Sequence, residues 1–410
     1  MVKLTWRNLW RRKRRTMITA MTVAGGLYFS IAFTATGDYA YTNMINASAT
    51  MGLGHITVEA DGYNASPSVN KRVTDSKKVR DLALSISAVY QASIRVTGQA
   101  MFASAAKSVG GVFIGIDPSQ ETAKTNIFLR SLIDGALFNT ANGRDVIIGS
   151  GMASKLQLKL GRKLVYTTTD IHGEMVSEVA RVSGIFNTGV SEVDSTIVIL
   201  PVDRVRNLIA YEPDEATMIS VFIHDQRKAN DVASTLKTKL SDMPSEILAW
   251  HETQPDMAGM ISMDRRMNYM SQFLVGILIS AGILNTMLMS VMERKREFGI
   301  MLAIGMSPWR LFTLVLFESF WLGLVGLILG VIFTAPTYYY MHNVGIDLSS
   351  FMGEGYDIAG VLLDPVMKYR LYKESVISIM SAVLGLTTLA GLYPGFRAGR
   401  MSPVENLKVI

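Results

Sequence analysis

Residues 267–292 read MNYMSQFLVGILISAGILNTMLMSVM, without a single Asp, Glu, Lys or Arg, and residues 293–296 that follow read ERKR. A hydrocarbon core about 30 Å thick takes about 20 apolar residues in helix, so this stretch predicts a membrane-crossing helix that stops at a charged turn. Three further apolar runs of that length lie at 16–36, 309–341 and 375–396, the second of them interrupted only by Arg310 near its start and by Glu318. Composition agrees. Charged residues make up 18% and hydrophobic ones 49% of the chain, and the mean hydropathy is +0.26, whereas a soluble domain is charged at roughly a quarter of its positions.

Of the 40 Lys and Arg among 410 residues, seven fall in the first fifteen positions: Lys3, Arg7, Arg11, Arg12, Lys13, Arg14 and Arg15. The rest of the chain then has 33 basic against 34 acidic residues. A basic surface spread over the fold is excluded, and with it nucleic acid as a partner. Cysteine is absent, which removes disulfides, thiolate metal sites, a catalytic thiol and a lipid-modified cysteine anchor. The run 16–36 exceeds the roughly 7–15 apolar residues of a secretory leader, so an anchored helix is expected there.

Orientation follows from Lys and Arg in the short flanks. The N-terminal flank has seven, the link after 267–292 has Arg294, Lys295, Arg296 and Arg310, and the tail has Arg397, Arg400 and Lys408. The loop 342–374 sets Lys368, Arg370 and Lys373 against Asp347, Glu354, Asp357 and Asp364, which fits the opposite side. Both termini are expected in the cytoplasm. The order is then a basic amphipathic helix at 1–15, spans at 16–36, 267–292, 309–341 and 375–396, an external domain at 37–266, a cytoplasmic coupling segment at 293–308, an external loop at 342–374 and a cytoplasmic tail at 397–410. Trp6, Leu9 and Trp10 against Arg7, Arg11 and Arg14 make the first segment an interfacial helix.

In the external segment, period-two alternation or short β-branched runs predict strands at 54–59, 112–116, 146–148, 163–169, 178–185, 196–200 and 218–223. Helical spacing predicts helices over 79–89 and 228–240. Catalytic chemistry is not visible. The five histidines are scattered, no HExxH or phosphate-binding GxxxxGK[ST] occurs, and the SxxK at Ser104 and Lys107 lacks its companion motifs. A recognition or force-transmitting domain is expected, with no catalytic residue and no metal.

Residues 293–308 read ERKREFGIMLAIGMSP. Phe298, Met301 and Leu302 at i, i+3 and i+4 predict a short amphipathic helix with an apolar knob face, and Ser307 and Pro308 read as N-cap and first residue of the next helix. The alternative is a positive-inside loop whose apolar side rests on lipid. The tail 393–407 reads YPGFRAGRMSPVENL, in which Ser402 and Glu405 form a capping box around Pro403.

Together these two stretches resemble the permeases of the FtsX and MacB superfamily of ABC transporters, with ER-x-x-E-(F/I)-G in the link and (Y/F)-P-(A/G)-x-R-A-(S/G)-R-x-x-P-x-E-x-L in the tail. One span, a large external domain and three more spans are most similar to the lipoprotein-releasing permeases of LolC and LolE type. The resemblance implies an α-helical membrane protein with four transmembrane helices plus a large α+β periplasmic domain inserted between helices 1 and 2, in a bacterial inner membrane. It implies ATPase coupling through Glu293, Arg294, Arg296, Glu297, Phe298, Gly299, Met301, Leu302 and Gly305, and a tail motif of Pro394, Arg397, Arg400, Pro403 and Glu405. It also implies a non-catalytic subunit that binds no cofactor. ATP and Mg sit on a separate ABC-type ATPase present in two copies, and a second permease copy or a paralogue completes the assembly. Lipoprotein or another lipid-anchored cargo is the leading substrate. A MacB-like efflux mechanotransmitter and an FtsX-like regulator of a cell-wall hydrolase are the other readings. Whether a periplasmic chaperone or adaptor docks stays open, because 167–178 carries only a short turn where the chaperone-recruiting relative has an extended hairpin.

Three further expectations concern the spans. Glu318 is an intramembrane carboxylate, a functional candidate by default, with pairing to another helix or to an Arg on the cytoplasmic side as the alternative. Gly323, Gly326 and Gly330 point to close helix packing. Phe29 and Phe33 of the first span with Phe273 and Ile277 of the second are candidates to line a cavity for lipid-anchored cargo. A single long helix is expected from about Glu252 through the second span into the coupling segment.

Overall fold

The computed structural model describes residues 2–11, 13–348, 357–358, 361–362 and 366–401. The chain divides into two units, one made of 1–40, 262–347 and 366–410, the other of 41–261 with 348–365.

The first unit is helical: α1 (Val2–Arg11) is followed by α2 (Lys13–Ser48) and α3 (Pro255–Glu293), whose residues 41–48 and 255–261 are counted with the second unit, and by α4 (Lys295–Ala303), α5 (Pro308–Asn343), α6 (Lys373–Ala390) and α7 (Leu392–Gly399). Four segments among the described residues are long and apolar enough to cross a membrane: Lys13–Leu53, Pro255–Glu293, Pro308–Asn343 and Lys373–Gly399. The helices outrun the apolar windows read from the sequence. Asp38 ends the uncharged run at 36 yet leaves α2 intact, its Oδ2 accepting a hydrogen bond from the Ser375 hydroxyl at 3.1 Å. Hydropathy marks the stretch suited to hydrocarbon, not the ends of the hydrogen-bonded helix.

The expected continuous helix from Glu252 into the coupling segment is not formed. Trp250–Thr253 is a separate short helix, α3 starts at Pro255, and the chain turns at Arg294 before α4. Proline lacks the N–H that a helix interior needs, which makes Pro255 a starting residue.

The glycines of α5 allow close approach. A Cβ on Gly326 would fall 2.5 Å from Val23 Cβ, one on Gly330 2.6 Å from Leu27 Cδ2, and one on Gly323 2.3 Å from the Thr387 hydroxyl. Helices α2 and α6 therefore pack on the stripe expected from the sequence. Leu9 of α1 is buried in this core, and Trp6 sets its ring edge-on to Trp321 at 5.2 Å.

Residues 41–261 of the second unit hold ten described strands: β1 (Ile56–Glu59), β2 (Val89–Ala103), β3 (Ser108–Ile116), β4 (Leu132–Gly135), β5 (Asp145–Gly149), β6 (Lys163–Thr169), β7 (Met175–Phe186), β8 (Ile197–Pro201), β9 (Met218–Ile223) and β10 (Glu246–Ala249). Pairings run β10-β1-β9-β2-β3-β8-β5-β7-β4, and β6 joins β2 to β7. The cycle β2-β3-β8-β5-β7-β6 is thus closed, a six-stranded mixed barrel in which β3 with β8 and β5 with β7 are parallel. Strand β2 serves two sheets. Its first half, to Arg95, pairs with β9, and its second half, from Val96, pairs with β3. Phe102, Phe113, Leu164, Tyr166 and Val198 belong to the buried core.

The helix expected over 79–89 is shorter, Ser76–Leu84, and Val89 opens β2 instead. The Ser85 hydroxyl donates to the Leu82 carbonyl and competes with continuation of the helix. Between β6 and β7 the turn is short, with the Asp170 amide donating to the Glu174 carbonyl and the Gly173 amide to the Asp170 carbonyl.

Candidate functional site

The link 293–308 folds as a helix with defined ends. Helix α4 closes with a Schellman motif: Gly305 takes φ +100°, its amide donates to the Leu302 carbonyl at 3.1 Å, and the Met306 amide donates to the Met301 carbonyl at 3.0 Å. Ser307 then caps α5, its hydroxyl accepting from the Arg310 amide, and Pro308 is the first residue of that helix, as the sequence predicts.

The face that α4 buries differs from the expected one. Phe298 is 1% exposed and forms part of the helical core, and Met301 and Leu302 are half-buried against the same core. Phe298 is therefore an anchor, and its expected place on an outward knob is corrected. Ile300 and Ile304, at 43% and 82% exposure, form the outward apolar pair, with Arg296 and Gly305 exposed beside them. The segment FGIMLAI is apolar almost all round, so spacing alone marks two stripes and does not choose between them.

Arg294, at the turn between α3 and α4, is the centre of an ionic network. Its Nη1 donates to Glu318 Oε2 at 3.1 Å, its Nε donates to Glu297 Oε2 at 2.9 Å, and its guanidinium lies over the Phe298 ring, 4.8 Å from the centroid. From the start of the chain, Arg15 Nη1 reaches Glu293 Oε2 at 2.8 Å and Arg11 Nη1 reaches Glu297 Oε1 at 3.3 Å. The pairs are not equal. The Arg294 and Glu318 side chains are 10% and 9% exposed, whereas Arg11 is 68% exposed. An exposed pair contributes about 0–1 kcal/mol, whereas breaking a buried one costs several times that. The hydrogen bond from Arg294, aided by the Arg294 and Arg11 charges, holds the Glu297 carboxyl below its usual range against the opposing effect of burial. A cavity of about 190 Å³ lies between these groups, bounded by Arg11, Arg15, Arg294, Glu297 and Glu318.

The network ties α1, α2, α3, α4 and α5 together, so the orientation of α4 is set by residues from five elements. Glu318 thus takes the pairing alternative. The roles of Arg11 and Arg15 as ion partners were hidden within a basic block that the sequence marked only by its sign and by its amphipathic spacing. Replacing Gly305 by valine is expected to cost about 1–2 kcal/mol, since only glycine holds a left-handed φ without a Cβ penalty. Trypsin cleavage of the full chain in nanodiscs at Arg296 and Arg310 should quicken several-fold, and an unchanged rate would contradict this role for the turn.

In the tail, Pro394, Gly395 and Ala398 are buried and Arg397 and Arg400 are exposed. A Cβ on Gly395 would meet Phe312 Cδ2 at 3.1 Å and one on Gly399 the Pro308 carbonyl oxygen at 3.0 Å, so small residues seat α7 on the start of α5. Arg400 covers the Phe396 ring at 4.1 Å. Pro403 and Glu405, with the capping box around them, lie outside the described residues. Phe29, Phe33, Phe273 and Ile277 are exposed at 55%, 54%, 66% and 48%. Gln272 donates to the Thr34 hydroxyl at 2.8 Å, which binds α2 to α3 beside them.

Residues 16–239 match the MacB-like periplasmic core domain, and residues 270–403 match the FtsX-like permease C-terminal domain. The chain belongs to the FtsX and MacB family of ABC transporter permeases. Among curated relatives, the lipoprotein-releasing system transmembrane protein LolC of Xylella fastidiosa is 23% identical over 309 residues, 72% of each chain. LolE of Haemophilus influenzae is 21% identical over 64% of each chain. The macrolide export ATP-binding/permease protein MacB of Nitrobacter winogradskyi is 22% identical over 96% of this permease and 58% of its own length. The link and tail that carried the resemblance both fall within the FtsX-like match, up to residue 403.

Proposed function

We propose that this permease transmits the work of a cytoplasmic ABC-type ATPase to its α+β domain, and so extracts lipoproteins or other lipid-anchored cargo from a bacterial inner membrane. The domain follows the first span and lies in the periplasm, both termini are cytoplasmic, and the functional unit holds two permeases, identical or paralogous, with two ATPase copies that bind ATP and Mg. The observation that carries the coupling part is the construction of α4. A helix whose inner face is locked by Phe298 and Arg294 and whose outer face shows Ile300, Ile304 and Arg296 is a rigid, apolar-centred docking element. Relatives named for lipoprotein release support the cargo class. The MacB relative, which matches across nearly the whole permease, keeps efflux through an adaptor as the second reading.

Ile304→Asp places a charge at an 82% exposed position and leaves the core untouched. It should abolish co-purification of the ATPase subunit while the variant keeps wild-type expression and unfolding temperature. Retention of the ATPase by the double variant Ile300→Asp, Ile304→Asp would defeat the docking assignment. Cross-linked cargo separates the two readings, a lipoprotein favouring the first and a periplasmic adaptor the second.

A further inference from the structure

The α+β domain contains a cavity of about 480 Å³, within the size range of small-molecule sites. One wall is the loop after β1, which supplies Tyr63, Asn64 and residues 67–70; the opposite wall comes from β2, β3 and the end of β6. The loop is fastened by polar contacts of its own. Lys71 Nζ donates to the carbonyls of Gly62 and Ser66 at 2.7 and 3.0 Å, the Gly62 amide donates to Glu246 Oε2 at 3.0 Å, and the Tyr211 hydroxyl donates to the Val69 carbonyl.

The lining includes two carboxylates, Glu59 and Asp170, and no Lys, Arg or His. Both are buried, at 1% and 7% exposure. Glu59 Oε1 accepts from the Asn64 amide at 2.8 Å, and Asp170 Oδ1 accepts from the amides of His172 and Glu174 at 2.8 and 2.9 Å. The second oxygen of each takes no hydrogen bond from a described residue. Elsewhere the lining is neutral. The Tyr63 and Thr97 hydroxyls bond each other at 2.7 Å, and Leu53, Val112 and Met218 are apolar.

A carboxylate oxygen that no described protein group serves is open to a donor in the cavity it lines, and a charged donor bonds it more strongly than a neutral one. The two acids of the lining disfavour an anion, and the nearby Lys71 ammonium is already engaged by the carbonyls of Gly62 and Ser66. We propose that this cavity binds an organic cation, a primary or secondary ammonium attached to an apolar group, with Glu59 as its charged partner. The ammonium seats on Glu59 and the apolar group lies along Val112, Leu53 and Met218.

Desolvation supports this assignment from another direction. Burial pushes the Glu59 carboxyl up to about 7; the Asn64 amide and Lys71 pull it back, and Glu246 pushes it further. Tyr63 and Asp170 are further titratable groups of the same lining. A bound ammonium favours the ionised form, so ligand uptake at neutral pH releases protons from Glu59.

The test uses the full chain in lipid nanodiscs, titrated calorimetrically with phenethylammonium chloride, with the Glu59→Gln protein in identical nanodiscs as the blank for partition into lipid. Glutamine keeps an acceptor for the Asn64 amide and removes only the charge. Saturable binding to the wild type is expected, weakened about tenfold or more in Glu59→Gln. Its heat should vary with buffer ionisation enthalpy in the wild type and not in the variant. The neutral 2-phenylethanol and the anionic 3-phenylpropanoate should bind at least about tenfold more weakly than the cation. Val112→Trp, which fills the cavity from the β3 side, should also abolish binding. A second arm compares Phe-Ala-amide with its N-acetylated form, and binding of the free amine alone assigns the cation to a peptide N-terminus instead of a small molecule. The proposal is overturned by no saturable binding at about 10 mM, by equal binding of the alcohol, or by an unchanged Glu59→Gln.

Discussion

Arg294→Ala is expected to destabilise the helical unit by about 3–5 kcal/mol, because it leaves Glu318 buried beside Leu9 and Thr16 with its cation removed. The guanidinium satisfies two carboxylates and covers the Phe298 ring, so its loss also frees the inner face of α4. The measurement is detergent-induced or thermal unfolding of the full permease in nanodiscs. Adding Glu318→Gln to Arg294→Ala should recover about 2 kcal/mol or more, since the double variant no longer buries an uncompensated charge. Arg11→Ala, which removes an exposed pair, should cost at most about 1 kcal/mol and should matter less as salt is raised. A double variant no more stable than Arg294→Ala alone would show that the Glu318 charge is not what the arginine offsets.

The second large effect belongs to the α+β domain. Arg95, the bulkiest of its fully buried residues, pairs with Glu121 through two bonds of 3.0 Å, with both side chains 1% exposed. It sits on β2 at the point where pairing passes from β9 to β3, and its guanidinium lies 5.7 Å from the Phe222 ring centroid. Arg95→Ala is expected to cost about 3–5 kcal/mol, which for a unit of this size lowers the apparent unfolding temperature by roughly 6–20 °C. Arg95→Met with Glu121→Leu should return most of that loss, because an apolar pair of similar volume leaves no charge to desolvate. Equal unfolding temperatures for wild type and Arg95→Ala would contradict the assignment.

The two sites differ in how far they could be read in advance. Arg294 and Glu318 stood out in the sequence, one as part of a charged turn and the other as an acid inside an apolar run, although the bond between them spans 24 positions. Arg95 carried no such mark. Strand β2 reads VYQASIRVTGQAMFA, with Arg95, Gly98 and Gln99 breaking an apolar pattern, and its first residue, Val89, extends the helical spacing of the preceding segment. The next strand, β3, pairs with the second half of β2 across a short hairpin, but the first half of β2 and its place in the barrel are set by partners far along the chain, β9 and β6. Pairing of that kind is non-local and leaves little local trace.

For α4 the sequence placed the helix and its following cap correctly, since Ser307 and Pro308 act on their immediate neighbours. It misplaced the outward face. Apolar side chains at i, i+3 and i+4 describe a stripe that suits an interior as well as a docking surface, and the choice was made by Arg294 and the surrounding helices.

The amino-acid sequence by itself determined the four apolar helices, the glycine stripe on α5 and the family, because hydrocarbon demands long uncharged segments and the link and tail are local motifs. The tertiary structure alone decided that β2, β3 and β5 to β8 close into a barrel, that Phe298 turns inward while Ile300 and Ile304 turn out, and that Arg11, Arg15, Arg294 and Glu318 meet at one junction. Those outcomes depend on which distant groups are brought together to share burial and charge, and no local window of the chain contains both partners.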